Sequence, residues 1–226
     1  MAIMRRETGI TGLDKLIDGG FPVPSTILIG GEPGTGKTTL AVQTLFHGAR
    51  KGEIGIYITA ISEPRWVVQK FLSEFTFYDQ EAIDKEKIVF LEIRQNLFEE
   101  PEKLLPKIKD IVERYEPQRV VIDPITPIKA ALDKIDGTRE FLHALFEFLK
   151  GFNCSSMVTA EMSYEDVPRS IEGYMADGII ILSYPEENMV RRKFLEVLKM
   201  RGTKHTTGKQ LVDITNEGIL VHTGLR

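Results

Sequence analysis

Apolar positions along the chain fall into two kinds of run, and the two kinds alternate. The first kind is short, continuous and β-prone. It covers Ser25 to Gly30, Glu53 to Ala60, Lys87 to Ile93, Arg119 to Asp123 and Cys154 to Ala160. Such runs predict strands buried on both faces, as in a parallel sheet. The second kind has helical spacing. Lys37 to Ala49 repeats apolar residues at Leu40, Ala41, Leu45 and Ala49. Pro64 to Phe75 places Trp66, Val67 and Phe71 toward one side. Pro101 to Tyr115 carries a stripe of Leu104, Leu105, Ile108, Ile111 and Val112, and Thr138 to Lys150 turns Phe141, Leu142, Leu145, Phe148 and Leu149 inward. A short helix is predicted near Thr11 to Leu16. From Gly178 the pattern changes. Gly178 to Tyr184, Lys193 to Met200, Gln210 to Thr215 and Ile219 to Val221 read as strands with short links, an antiparallel extension. The fold class is therefore α/β: a mostly parallel central sheet flanked by helices, with antiparallel strands at the C-terminal end. No linker, low-complexity tract or repeat divides residues 1–226, so one domain is expected.

Composition narrows the class only a little. Of 226 residues, 42% are hydrophobic and 27% charged, which is ordinary globular usage. The net charge of −4 gives no global basic bias toward nucleic acid. Cys154 is the single cysteine, so no intrachain disulfide forms, in keeping with a reducing cytoplasm. Met1 to Glu7 contains Arg5 and Arg6 but no apolar stretch of a secretory signal, and no apolar run reaches the length of a membrane span. A cytoplasmic protein with no membrane partner is expected.

Chemistry enters at residues 31–38, Gly-Glu-Pro-Gly-Thr-Gly-Lys-Thr, a complete GxxxxGKT phosphate-binding loop. It stands between a predicted strand and a predicted helix, the context that confirms the motif. Its glycines let backbone N–H groups converge on a polyphosphate, and the helix N-terminus adds its positive end. Lys37 reaches for the outer phosphates and the Thr38 hydroxyl for Mg²⁺. The predicted ATP contacts are Gly34, Thr35, Gly36, Lys37, Thr38 and Thr39.

Three further positions join it. Val120-Val121-Ile122-Asp123 is an apolar strand ending in a carboxylate, the position from which an Asp completes the Mg²⁺ shell in phosphate-loop NTPases. Pro124 and Pro127 argue against a helix starting at once, and so against Asp123 as a cap. Glu63 follows the strand ending at Ala60, where ligands bind in open α/β folds, and is the candidate base for an attacking water. Glu161, at the end of the Cys154 to Ala160 strand, is the reserve candidate. In KFLEVLKMRGTKH, residues 193–205, strand alternation puts Leu195, Val197, Lys199 and Arg201 on one face, with His205 nearby. Taken alone, that charged end reads as a solvated strand tip.

At this point the chain resembles a single KaiC domain of the RecA-like ATPase superfamily. The resemblance runs from about Thr8 to Val221. It is carried by TGLDKLIDGGFPVPSTILIGGEPGTGKTTL, VVIDP, MADGIIIL, KFLEVLKMRGTKH and LVDITNEGIL. It implies a RecA-like fold, ATP and Mg²⁺ as ligands, and a homo-oligomer, a hexameric ring with nucleotide between subunits. It implies that Lys199 and Arg201 reach the γ-phosphate of the adjacent copy, with His205 approaching the same nucleotide. Two departures stand out. The family commonly carries two consecutive glutamates where this chain has Ser62-Glu63. Members with a doubled domain carry an adjacent Ser–Thr phosphorylation pair where this chain reads Glu172-Gly173-Tyr174-Met175-Ala176, so no phosphorylation cycle is expected.

Three activities stay open on sequence: a regulatory ring-forming ATPase with protein partners, which the motifs favour; a recombinase- or helicase-like ATPase acting on single-stranded DNA; and a binding module that holds ATP and scarcely cleaves it. The second lacks an obvious basic, aromatic-bearing channel.

Overall fold

The computed structural model describes residues 3–59, 65–93, 96–133, 137–187 and 189–224. Two short paired strands, β1 (Arg5–Arg6) and β2 (Phe21–Pro22), bracket helix α1 (Leu13–Leu16). Then β3 (Ser25–Gly31) leads through the glycine-rich loop into α2 (Lys37–Arg50). The chain continues with β4 (Gly55–Thr59), α3 (Arg65–Leu72), α4 (Gln80–Asp84), β5 (Ile88–Glu92), α5 (Asn96–Glu99) and α6 (Leu104–Tyr115). Next come β6 (Arg119–Asp123), α7 (Thr126–Leu132), α8 (Thr138–Gly151), β7 (Ser155–Glu161), α9 (Ile171–Met175) and β8 (Gly178–Ser183). The short strands β9 (Glu186–Glu187) and β10 (Val190–Arg191) precede β11 (Lys193–Met200), β12 (Gln210–Thr215) and β13 (Gly218–His222).

Among the described residues the central sheet has nine strands in the order β13-β12-β11-β8-β3-β7-β6-β4-β5. From β8 to β5 every pairing is parallel; β11, β12 and β13 add antiparallel at the other side. All parallel strands therefore end on one edge, where the phosphate-binding loop leaves β3. Alternation splits the apolar residues between two faces. Ile27 and Ile29 of β3 pack with Leu40, Leu45 and Phe46 of α2. Leu28 packs on the other face with Ile108 and Val112 of α6 and Leu142 and Leu145 of α8. Leu45 is fully buried, so truncating it to alanine costs about 2–5 kcal/mol.

Three local expectations are corrected. Helix α3 buries Val68 and Leu72, one turn apart, and leaves Trp66 and Phe71 63% and 65% exposed. Its apolar side is thus offset from Trp66 and Phe71. The helix expected from Pro101 opens instead with a 3₁₀ turn, Pro101–Lys103, before α6. The expectation at Asp123 holds: α7 starts only at Thr126, with Ile125 and not Asp123 at its cap, and Pro127 lies in its first turn, where no intrahelical N–H is lost. Finally, β11 carries a bulge between Val197 and Lys199. Leu198 is the extra residue, so Met200 joins Leu195 and Val197 on the α2 face while Leu198 packs on the α8 face. Lys199 leaves the face that simple alternation assigned to it and points to α9.

Candidate functional site

The loop after β3 owes its shape to two glycines. Gly34 and Gly36 adopt φ of 76° and 103°, conformations costly to other residues. A Cβ on Gly36 would stand 2.7 Å from Ile214, whereas Gly34 faces open space. The Thr35 hydroxyl is buried and donates to the Glu32 carbonyl at 2.8 Å, so Thr35 closes the loop on itself. Gly36 caps α2 without any side-chain hydrogen bond, and no acidic residue occupies the first turn of this 14-residue helix. Its first-turn N–H groups and positive end are thus left for an anion. The Thr38 and Thr39 side chains are half-buried at this end.

Lys37 folds back over the loop. Its Nζ donates to the carbonyls of Gly31 at 2.8 Å and Glu32 at 3.0 Å. Burial pushes its pKa below the ordinary lysine value, and the carboxylates of Glu161 and Asp123 pull it partly back. Asp123 ends β6, next but one to β3 in the sheet, and is almost completely buried. Its carboxylate accepts the Tyr57 hydroxyl at 2.7 Å and the Thr159 hydroxyl, which fix its orientation. Thr59 stands opposite Asp123 in the β4–β6 register, and its buried hydroxyl has no hydrogen-bond partner among the described residues. Glu161 stands opposite Gly31 and is exposed. Glu63 lies outside the described residues.

The donor set suits a hard cation bound together with phosphate. Among the described residues no cluster of three or more His, Cys, Asp or Glu side chains forms a self-sufficient metal cage. Thr38 and Asp123 supply one hydroxyl and one carboxylate, the pattern by which Mg²⁺ is held with substrate phosphates. The orphaned Thr59 hydroxyl beside Asp123 fits a polar, hydrated occupant.

A residue that sequence reasoning passed over joins the loop. Lys193, the first residue of β11, donates from Nζ to the Gly34 carbonyl at 2.5 Å. Its ammonium also lies 4.1 Å from the Tyr184 ring centroid. Burial lowers its pKa. A cleft of about 350 Å³ opens beside it, lined by Tyr184, Arg191, Arg192, Asp213 and Ile214. Only the antiparallel pairing of β11 with β8 brings Lys193 to the loop; the one sequence signal was the basic run Arg191-Arg192-Lys193.

The other end of β11 lies on the opposite edge. Met200 pairs with Gly178, which pairs in turn with Ile27, while the loop begins at Gly31. Four residues of strand place Lys199 and Arg201 about 13 Å or more from their own loop. Lys199 Nζ donates to the carbonyls of Ala176 at 2.5 Å, Tyr174 at 3.3 Å and Gly173 at 3.4 Å, at the C-terminal end of α9. Arg201 pairs with Asp177 at 3.0 Å and remains 58% exposed. His205 is half-buried in the following loop. A cavity of about 520 Å³ opens beside Arg201, between α8 and α9, lined by Arg139, His143, Phe146, Lys150, Tyr174 and Met175. The structure thus gathers Gly34, Thr35, Gly36, Lys37, Thr38, Thr39 and Asp123 at one edge, and Lys199, Arg201 and His205 at the other.

Comparison with known proteins gives the family and the fold. The family model for the KaiC ATPase matches residues 6–226. A UPF0273 protein of Methanopyrus kandleri is 32% identical over 98% of this chain and 93% of its own length. The circadian clock oscillator protein KaiC of Parathermosynechococcus lividus is 32% identical over 96% of this chain, which spans only 42% of that longer protein. The crystal structure of a KaiC-like protein from the hyperthermophilic archaeon Pyrococcus horikoshii superposes with a TM-score of 0.85 at 30% identity, covering 98% of this chain and all of that one.

Proposed function

The chain belongs to the KaiC ATPase family, and from that premise we propose that it binds and hydrolyses ATP at a site shared between copies of itself arranged in a ring, with a regulatory role. The observation that carries the proposal is the separation of two half-sites. The loop edge offers everything needed to seat a polyphosphate, while Lys199 and Arg201 occupy the far edge, out of reach of it. Cations placed there meet a phosphate only if it belongs to another molecule.

Each residue then has a role. The α2 N-terminus and the amides of residues 34–39 bind the phosphates. Lys37 exchanges the Gly31 and Glu32 carbonyls for the outer phosphate oxygens. Lys193, already on Gly34, flanks the cleft that receives the rest of the nucleotide. Thr38 and Asp123 would hold Mg²⁺, which supplies charge neutralisation on the phosphate oxygens when bound. Glu63 takes the proton of the attacking water. Lys199 and Arg201 of a neighbouring copy stabilise charge gathering on the transferred phosphoryl group. His205 approaches the same nucleotide. One domain over residues 1–226 and a cytoplasmic location belong to this reading. The single, buried Cys154, its pKa pushed up to about 11 by burial, suits a reducing compartment.

The test is subunit mixing. Lys37→Ala lacks the loop cation and keeps the donated pair; Arg201→Ala keeps the loop and lacks a donated cation. Each alone should release phosphate at a small fraction of the parent rate. After subunit exchange, some interfaces pair an intact loop with intact donors, and turnover should partly return. Mixed oligomers with no recovered turnover would end the shared-site reading.

A further inference from the structure

We infer that the ion pair between Lys129 and the buried Glu172 is a positioning device, holding α9 so that this helix presents Lys199 to the phosphate of a neighbouring copy. The inference rests on the shared-site reading above and adds two residues to it.

Glu172 is a buried acid that the reaction does not use. Its carboxylate is 3% exposed, and both of its oxygens accept from Lys129 Nζ, at 2.7 and 2.8 Å. The two residues tie together elements with different duties. Lys129 belongs to α7, which starts three residues beyond Asp123. Thr126, the first residue of α7, accepts the amide of Glu161 at 3.4 Å, so α7 is anchored to the ends of β6 and β7 beside the phosphate-binding loop. Glu172 sits in the first turn of α9, which is only five residues long. A helix that short has no stability of its own and takes its position from what grips it. Lys129 grips one end. At the other end, the carbonyls of Gly173, Tyr174 and Ala176 form the seat of the Lys199 ammonium.

The same short segment fixes Arg201. Asp177 lies two residues beyond α9 and pairs with Arg201 at 3.0 Å, while its other oxygen accepts the Thr26 amide at 3.0 Å and Lys150 at 3.2 Å. Both donated cations are thus held by residues 173–177. Burial, then repulsion from Arg201, lowers the Lys199 pKa, as expected of an ammonium pressed against protein. Fold stability alone does not call for the pair. Replacing a buried ion pair by apolar residues of similar size is often neutral or stabilising. What an apolar pair would not supply is a bidentate, directional grip on α9. A subunit's own nucleotide edge is thereby linked, through α7 and α9, to the cations it lends.

The test uses the mixing experiment with Glu172→Gln, which keeps the shape and removes the charge. The variant's own loop is intact, so ATP binding by calorimetry should match the parent. Its donated Lys199 is misplaced, so turnover should fall roughly ten- to a hundredfold, the scale of a sub-ångström to 1 Å misplacement. Mixed with Lys37→Ala, which supplies sound donors, it should regain turnover; mixed with Arg201→Ala it should not. The exchanged pair, Lys129→Glu with Glu172→Lys, should recover much of the parent rate. If Glu172→Gln loses its folded circular dichroism spectrum, Glu172→Asp, which shortens the arm and keeps the charge, is read in the same mixtures. Parent-level turnover of the variant overturns the inference. So does rescue by both partners or by neither, while Lys37→Ala and Arg201→Ala still rescue each other. If those two do not rescue each other, the shared-site reading falls first and this inference falls with it.

Discussion

The ammonium of Lys193 lies 2.5 Å from the carbonyl oxygen of Gly34, joining the start of a C-terminal strand to the tip of the phosphate-binding loop across 159 residues of sequence. The Tyr184 ring beneath the ammonium and the partial burial of the side chain hold it there. Lys193→Met keeps the stem and removes the charge. ATP affinity should fall about tenfold, the worth of one hydrogen bond to a charged group at a half-buried site. Calorimetry reads it directly. An unchanged dissociation constant would show that Lys193 only steadies the empty loop.

Lys37 sets binding against stability. Its pKa is lowered in the folded chain, chiefly by burial. The unfolded chain holds this proton more tightly, so burying the ammonium costs stability at neutral pH, and the cost fades as pH rises from the folded value toward 10.5. Lys37→Met should therefore bind ATP at least a hundredfold more weakly and melt higher, by about 2–4 °C for each 1 kcal/mol recovered. The melting gap between parent and variant should narrow as pH rises toward 10.5. A variant that melts below the parent at pH 7 would mean that the two carbonyl contacts of Lys37 outweigh its burial.

Much of this arrangement was legible because it is local. The phosphate-binding loop, its flanking strand and 14-residue helix, and Asp123 at a strand end are each written in one short consecutive run, and β6, β11 and β12 begin and end where their apolar patterns do. What escaped depends on partners distant in sequence. The bulge at Leu198 arises from pairing with β8, so alternation along β11 could not show that Lys199 turns to α9. The role of Lys193 needed the same pairing. Helix α4 escaped although Asp79 caps it, accepting from the amides of Glu81 and Ala82, because five residues are too few to show a period. The exposure of Trp66 and Phe71 shows the reverse failure: strongly apolar residues drew the predicted face toward themselves, while the smaller Val68 and Leu72 meet the core.

The second face of α2 rests on charge. Arg119 is 2% exposed at the start of β6, with its Nε 2.5 Å from Glu53 and one terminal nitrogen on the Thr44 carbonyl at 3.1 Å. Arg6 meets the other oxygen of Glu53 at 3.2 Å. Glu53→Gln leaves a guanidinium buried without its counter-charge. Because Glu53 is partly solvated, the cost should sit at the low end for breaking such a pair, about 3 kcal/mol, read from the urea midpoint. A loss under about 1 kcal/mol would place Arg119 in contact with water through an opening of this face.

The final prediction concerns the water. Two carboxylates compete for the role of base: Glu63, just after β4, and Glu161, which ends β7 opposite Gly31 and acts on the Lys37 charge. A base must hold the water in line with the outer phosphate. In sequence Glu63 follows β4, the strand next to β6, which delivers Asp123. Glu161 stands opposite Gly31, where the loop begins, and its charge acts on Lys37. Glu63→Gln should therefore keep ATP affinity within about threefold and lower single-turnover hydrolysis about a hundredfold, the scale of general-base loss. Glu161→Gln should lower hydrolysis less and weaken ATP binding more, because it removes a charge that acts on Lys37. The reverse pattern, slow chemistry in Glu161→Gln and parent-like chemistry in Glu63→Gln, would move the base to β7 and make Ser62-Glu63 a spectator.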